Sequence, residues 1–227
     1  MGVEKSTAGA GIPGMVRRMC RAARRAAGLA AALWAAAAGA AEVQAPLVVR
    51  IFDDFRTAAD LGFPPGATDC QSLTPFVMAV VEPLLGNFSR SEQIDVTEED
   101  LKDCCRRQLP EGASFREAWA EWEPGGSRWG ARQRLAVDLK AWKLQQALFA
   151  RYGGQVLPRP GGQPLALDAI VALVAEREQA GDITFYDERL KIRFWECLRF
   201  GWGRPVAAEE GRPLIEQHPL DHGPPAP

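Results

Sequence analysis

Apolar positions along the chain follow two spacings. Near Leu47–Ile51 they run together as in a strand, and from about residue 74 they recur every three or four positions, as in helices. The segment LVVRIFDDFRTAADL (47–61) reads as a strand followed by a helix start. Thr57-Ala58-Ala59-Asp60 forms a variant of the capping box, with threonine as cap and an acid three positions on. Residues 63–72 read as a loop. Thr74-Pro75 opens the first long helix, since proline in the first turn loses no hydrogen bond. Phe76, Val77, Val80, Val81, Leu84, Leu85 and Phe88 give that helix one broad buried face, and Pro83 is expected to kink it.

Thr97 caps the next helix, with Glu98, Glu99 and Asp100 at its positive end and Arg106 and Arg107 at its negative end. The acidic triplet is therefore a helix start rather than a metal cluster. Residues 114–122 form a short amphipathic helix, broken by EPGGSRWG. Ser127 is the expected cap of a helix running to about Tyr152, where Gly153-Gly154 stop it. Leu135, Leu139, Trp142 and Phe149 form its stripe, with Leu144 and Leu148 beside it, so several neighbours grip it. Residues 155–164 read as a linker. Two more helices follow, near 165–180 and 187–200. Past Gly201 the prolines multiply and the period is lost, so residues 203–227 read as a disordered tail.

Length and composition fit this picture. A chain of 227 residues, 47% hydrophobic and 25% charged, can bury a sizeable core. The net charge of -2 conceals an asymmetry, because residues 42–227 hold 21 basic and 28 acidic groups, a net charge of -7. Such a body lacks the basic footprint of a nucleic-acid binder and suits anionic membranes poorly. The basic groups missing from it concentrate at the N-terminus. RRMCRAARR (17–25), AAGLAAALWAAAAGA (26–40) and the small residues Ala38-Gly39-Ala40 have the three parts of a secretory signal, cleaved after Ala40 or Ala41. A membrane anchor would need about 20 strongly apolar residues, and this run is shorter and mostly alanine. The expectation is a signal peptide over 1–41, a periplasmic or otherwise exported body, and no stable membrane insertion.

Export permits disulfides. Of Cys70, Cys104, Cys105 and Cys197, the adjacent pair is a poor match for itself. Proximity favours Cys70 with Cys104 or Cys105 if one bridge forms, the others being small buried apolar groups. Other chemistry is sparse. The two histidines, His218 and His222, fall in the expected tail, with Pro219 between them, so neither metal binding nor activation of a thiol is expected. No glycine-rich phosphate loop or nucleophile elbow occurs. Glu121 and Glu123 flank Trp122 on a surface helix and read as solvated acids. No cofactor or metal is implied.

The segment VVRIFDDFRTAADL resembles the opening of SurA-type periplasmic chaperones and parvulin-linked foldases, in which a strand, an Asn-Gly turn, an Ile-Thr pair and a helix near Asp-Leu follow in order. Val48, Val49, Ile51, Thr57, Asp60 and Leu61 match. Phe52, Asp53 and Asp54 replace the turn, and Arg56 replaces the isoleucine. IDVTEEDL (94–101) is also similar to that family. AWKLQQALFARYGGQV (141–156), QPLALDA (163–169) and GDITFYDERLKIRFW (181–195) resemble exported bacterial relatives of its chaperone domain. The resemblance covers about residues 47–200. It implies an all-α fold, an irregular bundle of about five to six helices with a short N-terminal strand segment, spanning residues 42–202. It further implies a domain that cradles unfolded or extended polypeptides and lacks the peptidyl-prolyl isomerase module, since no β-rich module with cleft histidines follows Phe200. Trp119, Trp122 and Trp129, beside Gly125-Gly126, are the candidate polypeptide contacts. The alternative is a structural or assembly factor for one folded envelope partner, its tail ordering on binding.

Overall fold

The computed structural model describes residues 46–62, 67, 69–159 and 162–222. The expected signal segment, residues 1–41, lies outside them. Among the described residues the architecture is mainly helical, with seven α-helices and one three-stranded antiparallel sheet.

Among the described residues the first element is β1 (Leu47–Ile51), which turns at Phe52-Asp53 and returns as β2 (Asp54–Thr57). The hairpin forms without Asn-Gly because Phe52 itself adopts φ +53°, a conformation bulky residues rarely take. The Phe52 N–H donates to the Asp182 carbonyl at 2.6 Å, so a distant segment holds the turn. A bulge between Leu47 and Val49 lets Val48 and Val49 both be buried, where strict alternation would expose one. The capping-box bonds of Thr57 and Asp60 form as expected, with the Thr57 N–H on the carboxylate at 2.8 Å. They cap a single turn, however, which Gly62 ends at φ +65°.

Helix α1 (Cys70–Ser91) starts one turn earlier than Thr74-Pro75, because Asp69 is the cap: its carboxylate accepts from the Ser72 N–H at 2.8 Å. Pro75 and Pro83 both lie inside it. Helix α2 (Glu98–Arg107) has the full capping box of Thr97 and Asp100. Helix α3 (Phe115–Trp122) is capped by Ser114. Helix α4 (Trp129–Tyr152) has no side-chain cap, so Ser127 does not serve. Instead the turn closes on its own backbone, with the Arg128 N–H on the Glu121 carbonyl at 2.8 Å, and a Cβ on Gly126 would lie 2.3 Å from that same oxygen. Helix α5 (Leu167–Gln179) leads to β3 (Ile183–Phe185), then α6 (Glu188–Phe200), capped by Asp187. β3 pairs with β1 and gives the order β2-β1-β3. It was not expected, since three residues are too few to show alternation.

Residues 203–222 correct the expectation of a disordered tail. Val206 bridges to Val156, and helix α7 (Ala208–Glu216) follows, then a 3-10 turn (Pro219–His222). Ile215 is only 1% exposed. Its carbonyl accepts from the Trp142 indole N–H at 3.0 Å. The segment lacks a long period because its packing comes from scattered side chains, Val206, Ala208, Ile215, His218 and Leu220. This seventh helix is the reason the count exceeds the expected bundle.

Two apolar clusters hold the molecule. The larger joins β1, β3, α1, α5, α6, Ile215 and the C-terminal half of α4. The smaller joins α2, α3 and the N-terminal half of α4, through Leu101, Cys104, Cys105, Trp119, Trp122, Leu135 and Leu139. The division decides the cysteine pairing. Cys70 at the start of α1 bonds Cys197 of α6, with the Cα atoms 5.1 Å apart. Cys104 and Cys105 lie buried and free in the other cluster. Sequence proximity favoured the wrong partners, because α1 packs along α6, 127 residues further on.

Candidate functional site

The aromatic residues expected to contact polypeptide are largely internal. Helical spacing puts Phe115, Trp119 and Trp122 on one side of α3, and that side faces the smaller cluster. Trp122 is 2% exposed and Trp119 is also buried. Trp119 lies 6.1 Å from Phe115 and 6.3 Å from Trp122, and the Arg132 guanidinium sits 4.8 Å from its ring. The same guanidinium lies 5.2 Å from the half-buried Trp129 ring. These rings are packing and cation–π partners, not an open binding face. Glu121 pairs with Arg128 at 3.7 Å, and both are exposed. The acidic triplet caps α2, and its Asp100 bonds Lys143 of α4 at 2.6 Å. Burial works against that carboxylate, but Lys143 and Thr97 hold it below the ordinary range.

Folding of the C-terminal segment creates one pair that sequence reasoning missed. His218 Nε2 lies 3.7 Å from Cys104 Sγ, with the ring 5.0 Å from that of Trp142. The Leu220 N–H donates to Nδ1 at 3.2 Å. In the neutral ring the proton therefore sits on Nε2, which faces the sulfur as a donor. A general base would need a lone pair there. Burial also pushes the Cys104 thiol up to about 11, so the thiol stays protonated and the pair is a packing lock, not an activated nucleophile. Burial, then the Arg107 charge, hold His218 below its usual value.

One open concave surface lies elsewhere, between α5 and α6. This groove of about 570 Å³ is lined by Ala175, Ile192, Trp195 and Phe200, among charged neighbours. Ile192 is 52% and Phe200 78% exposed, although both are large and apolar. Trp195 packs edge-on against the buried Phe194 at 5.5 Å, and the Arg199 guanidinium covers it at 5.3 Å. Lys191 reaches across from α6 to Glu178 of α5 at 2.7 Å, and that hydrogen bond raises its pKa. A rigid aromatic, two unburied apolar groups and a charged rim make a surface suited to an apolar segment of chain. Leu190, Phe194, Cys197 and Leu198 form the inward stripe of α6, and Ile192 and Phe200 fall off it.

Comparison of the chain with protein-family models, curated proteins and solved structures finds no match. Among the described residues, no helix is long and apolar enough to cross a membrane, and no group of three or more histidine, cysteine or acidic side chains is placed to hold a metal ion.

Proposed function

We propose that this is an exported, non-enzymatic protein whose helical body binds unfolded or extended polypeptides in the groove between α5 and α6. The exposed Ile192 and Phe200 flanking Trp195 carry the reading. Two large apolar side chains left in water beside a fixed aromatic mark a surface made for contact. Export is supported by the Cys70–Cys197 bond, which persists in an oxidising compartment. Kinship with SurA-type chaperones belongs to the same proposal and is supported by the hairpin at residues 47–57, where that family has one. The lack of isomerase activity also belongs to it. The one histidine whose contacts are described is locked against a protonated thiol.

The test is whether the purified protein delays aggregation of an unfolded outer-membrane client and crosslinks to apolar peptides. Ile192→Asp with Phe200→Asp should weaken peptide binding by about tenfold or more while leaving the helical content intact. Failure of the unaltered protein in both assays overturns the proposal. Retention of full binding by the double variant moves the site away from this groove.

A further inference from the structure

β2 forms an outer edge of the sheet, and its pairing phase fixes what that edge offers. The two-residue turn makes Ile51 and Asp54 a hydrogen-bonded pair. Alternation then makes Arg50–Phe55 a non-bonded pair and Val49–Arg56 a bonded one. The Phe55 N–H and carbonyl therefore point away from β1, toward solvent. Its side chain is 51% exposed. Asp54 and Arg56 flank it on the opposite face, exposed and ion-paired to each other. Beyond them the edge closes: the Thr57 N–H donates to the Asp60 carboxylate, and its carbonyl accepts from the Leu61 N–H.

We infer that this edge pairs with the β2 edge of a second copy of the chain, in antiparallel register centred on Phe55. In that register the two Phe55 residues exchange both backbone hydrogen bonds. Each Asp54 then lies opposite the other copy's Arg56, in the non-bonded positions where side chains approach most closely. Charged residues on an edge strand ordinarily deter pairing. Here the sequence Asp-Phe-Arg is self-complementary, so a two-fold axis through Phe55 turns both charges into cross-strand ion pairs. The two sheets become one sheet of six strands, ordered β3-β1-β2-β2-β1-β3. Because Thr57 closes the edge, the seam is short and falls in the small-interface class. The dimer is accordingly weak and populated as concentration rises. The groove between α5 and α6 is on other elements and does not depend on it.

Sedimentation of the full chain from about 1 µM to about 1 mM should show a reversible monomer–dimer equilibrium. Asp54→Lys and Arg56→Glu each place like charges opposite one another, and each should weaken dimerisation by about tenfold or more. An equimolar mixture of the two variants restores both opposite-charge pairs and should dimerise about as well as the unaltered chain. Circular dichroism and urea midpoints check that each variant stays folded. A chain that remains monomeric throughout, or variants whose mixture fails to recover, overturns the inference. So does a dimer indifferent to both substitutions.

Discussion

His218 shows how one side chain can change its meaning with its surroundings. In an unstructured tail it would titrate near its ordinary value. Packed against Cys104 and Trp142, with Nδ1 taken by the Leu220 N–H and Arg107 nearby, it resists a proton. Asp221 is the one neighbouring charge that favours the proton. The folded-state pKa lies below the unfolded one, so the unfolded chain binds a proton first as pH falls. The contribution is whole above about pH 6.5 and is lost as pH drops through the lower folded value. In proton NMR, the His218 ring should titrate below the ordinary histidine value, its resonance assigned by its loss in a His218→Gln variant. A His218 resonance titrating at or above the ordinary value would refute the lock. Nothing in the residues around 218 announced this contact. Histidine carries no periodic signal, and the Cys104 and Trp142 side chains it packs against are distant in sequence.

At the level of elements, capped helices were the legible part. Asp187, Thr97 and Ser114 start their helices where hydrogen-bond chemistry says they should. The misses have a common cause. Asp69 displaced Thr74 as the cap of α1, and backbone bonds around Gly126 displaced Ser127. In both places two local solutions compete, and tertiary packing selects between them. The same blindness affects the cysteines, since pairing depends on which helices lie side by side. Gly201 ends α6 beside the bridge, and a Cβ there would approach Cys70 Cβ to 3.0 Å. Reduction of the bond, which spans 127 residues, should lower the unfolding free energy by about 2–5 kcal/mol, read as a drop in the urea midpoint. A non-reducing peptide map should join the Cys70 and Cys197 fragments. An unchanged midpoint, or a Cys70–Cys104 fragment, contradicts the assignment.

For the whole molecule, the surprise is how much the last segment contributes. Composition identified residues 203–227 as proline-rich, but composition cannot register one isoleucine filling a core. α7 places Ile215 in the larger cluster, while Leu220 packs on the smaller one. The segment thus straps the two together along α4. Ile215→Ala should destabilise the protein by about 2–5 kcal/mol in urea unfolding. Deleting residues 203–227 should also increase binding of an apolar dye, because Trp142 and the Ile215 site become exposed. Unaltered stability in both variants would mean that the strap is peripheral. The candidate groove was legible only as leftover apolar positions on α6. Trp119 and Trp122 looked equally available in sequence, because an amphipathic pattern tells which residues share a face but not whether that face is covered.

The sheet has a consequence for the order in which the molecule can be completed. β1 finds β2 across a two-residue turn, a contact that costs little chain entropy and can form early. Its other neighbour, β3, joins Val49 to Phe185 only after the whole intervening helical body has been synthesised. Until then one edge of the middle strand stays open, and the strained turn at Phe52 lacks its bond to Asp182. The sheet that begins the fold is therefore completed late, through its β1–β3 seam. Its closure, a pairing of high contact order, is a candidate for the slow step of folding.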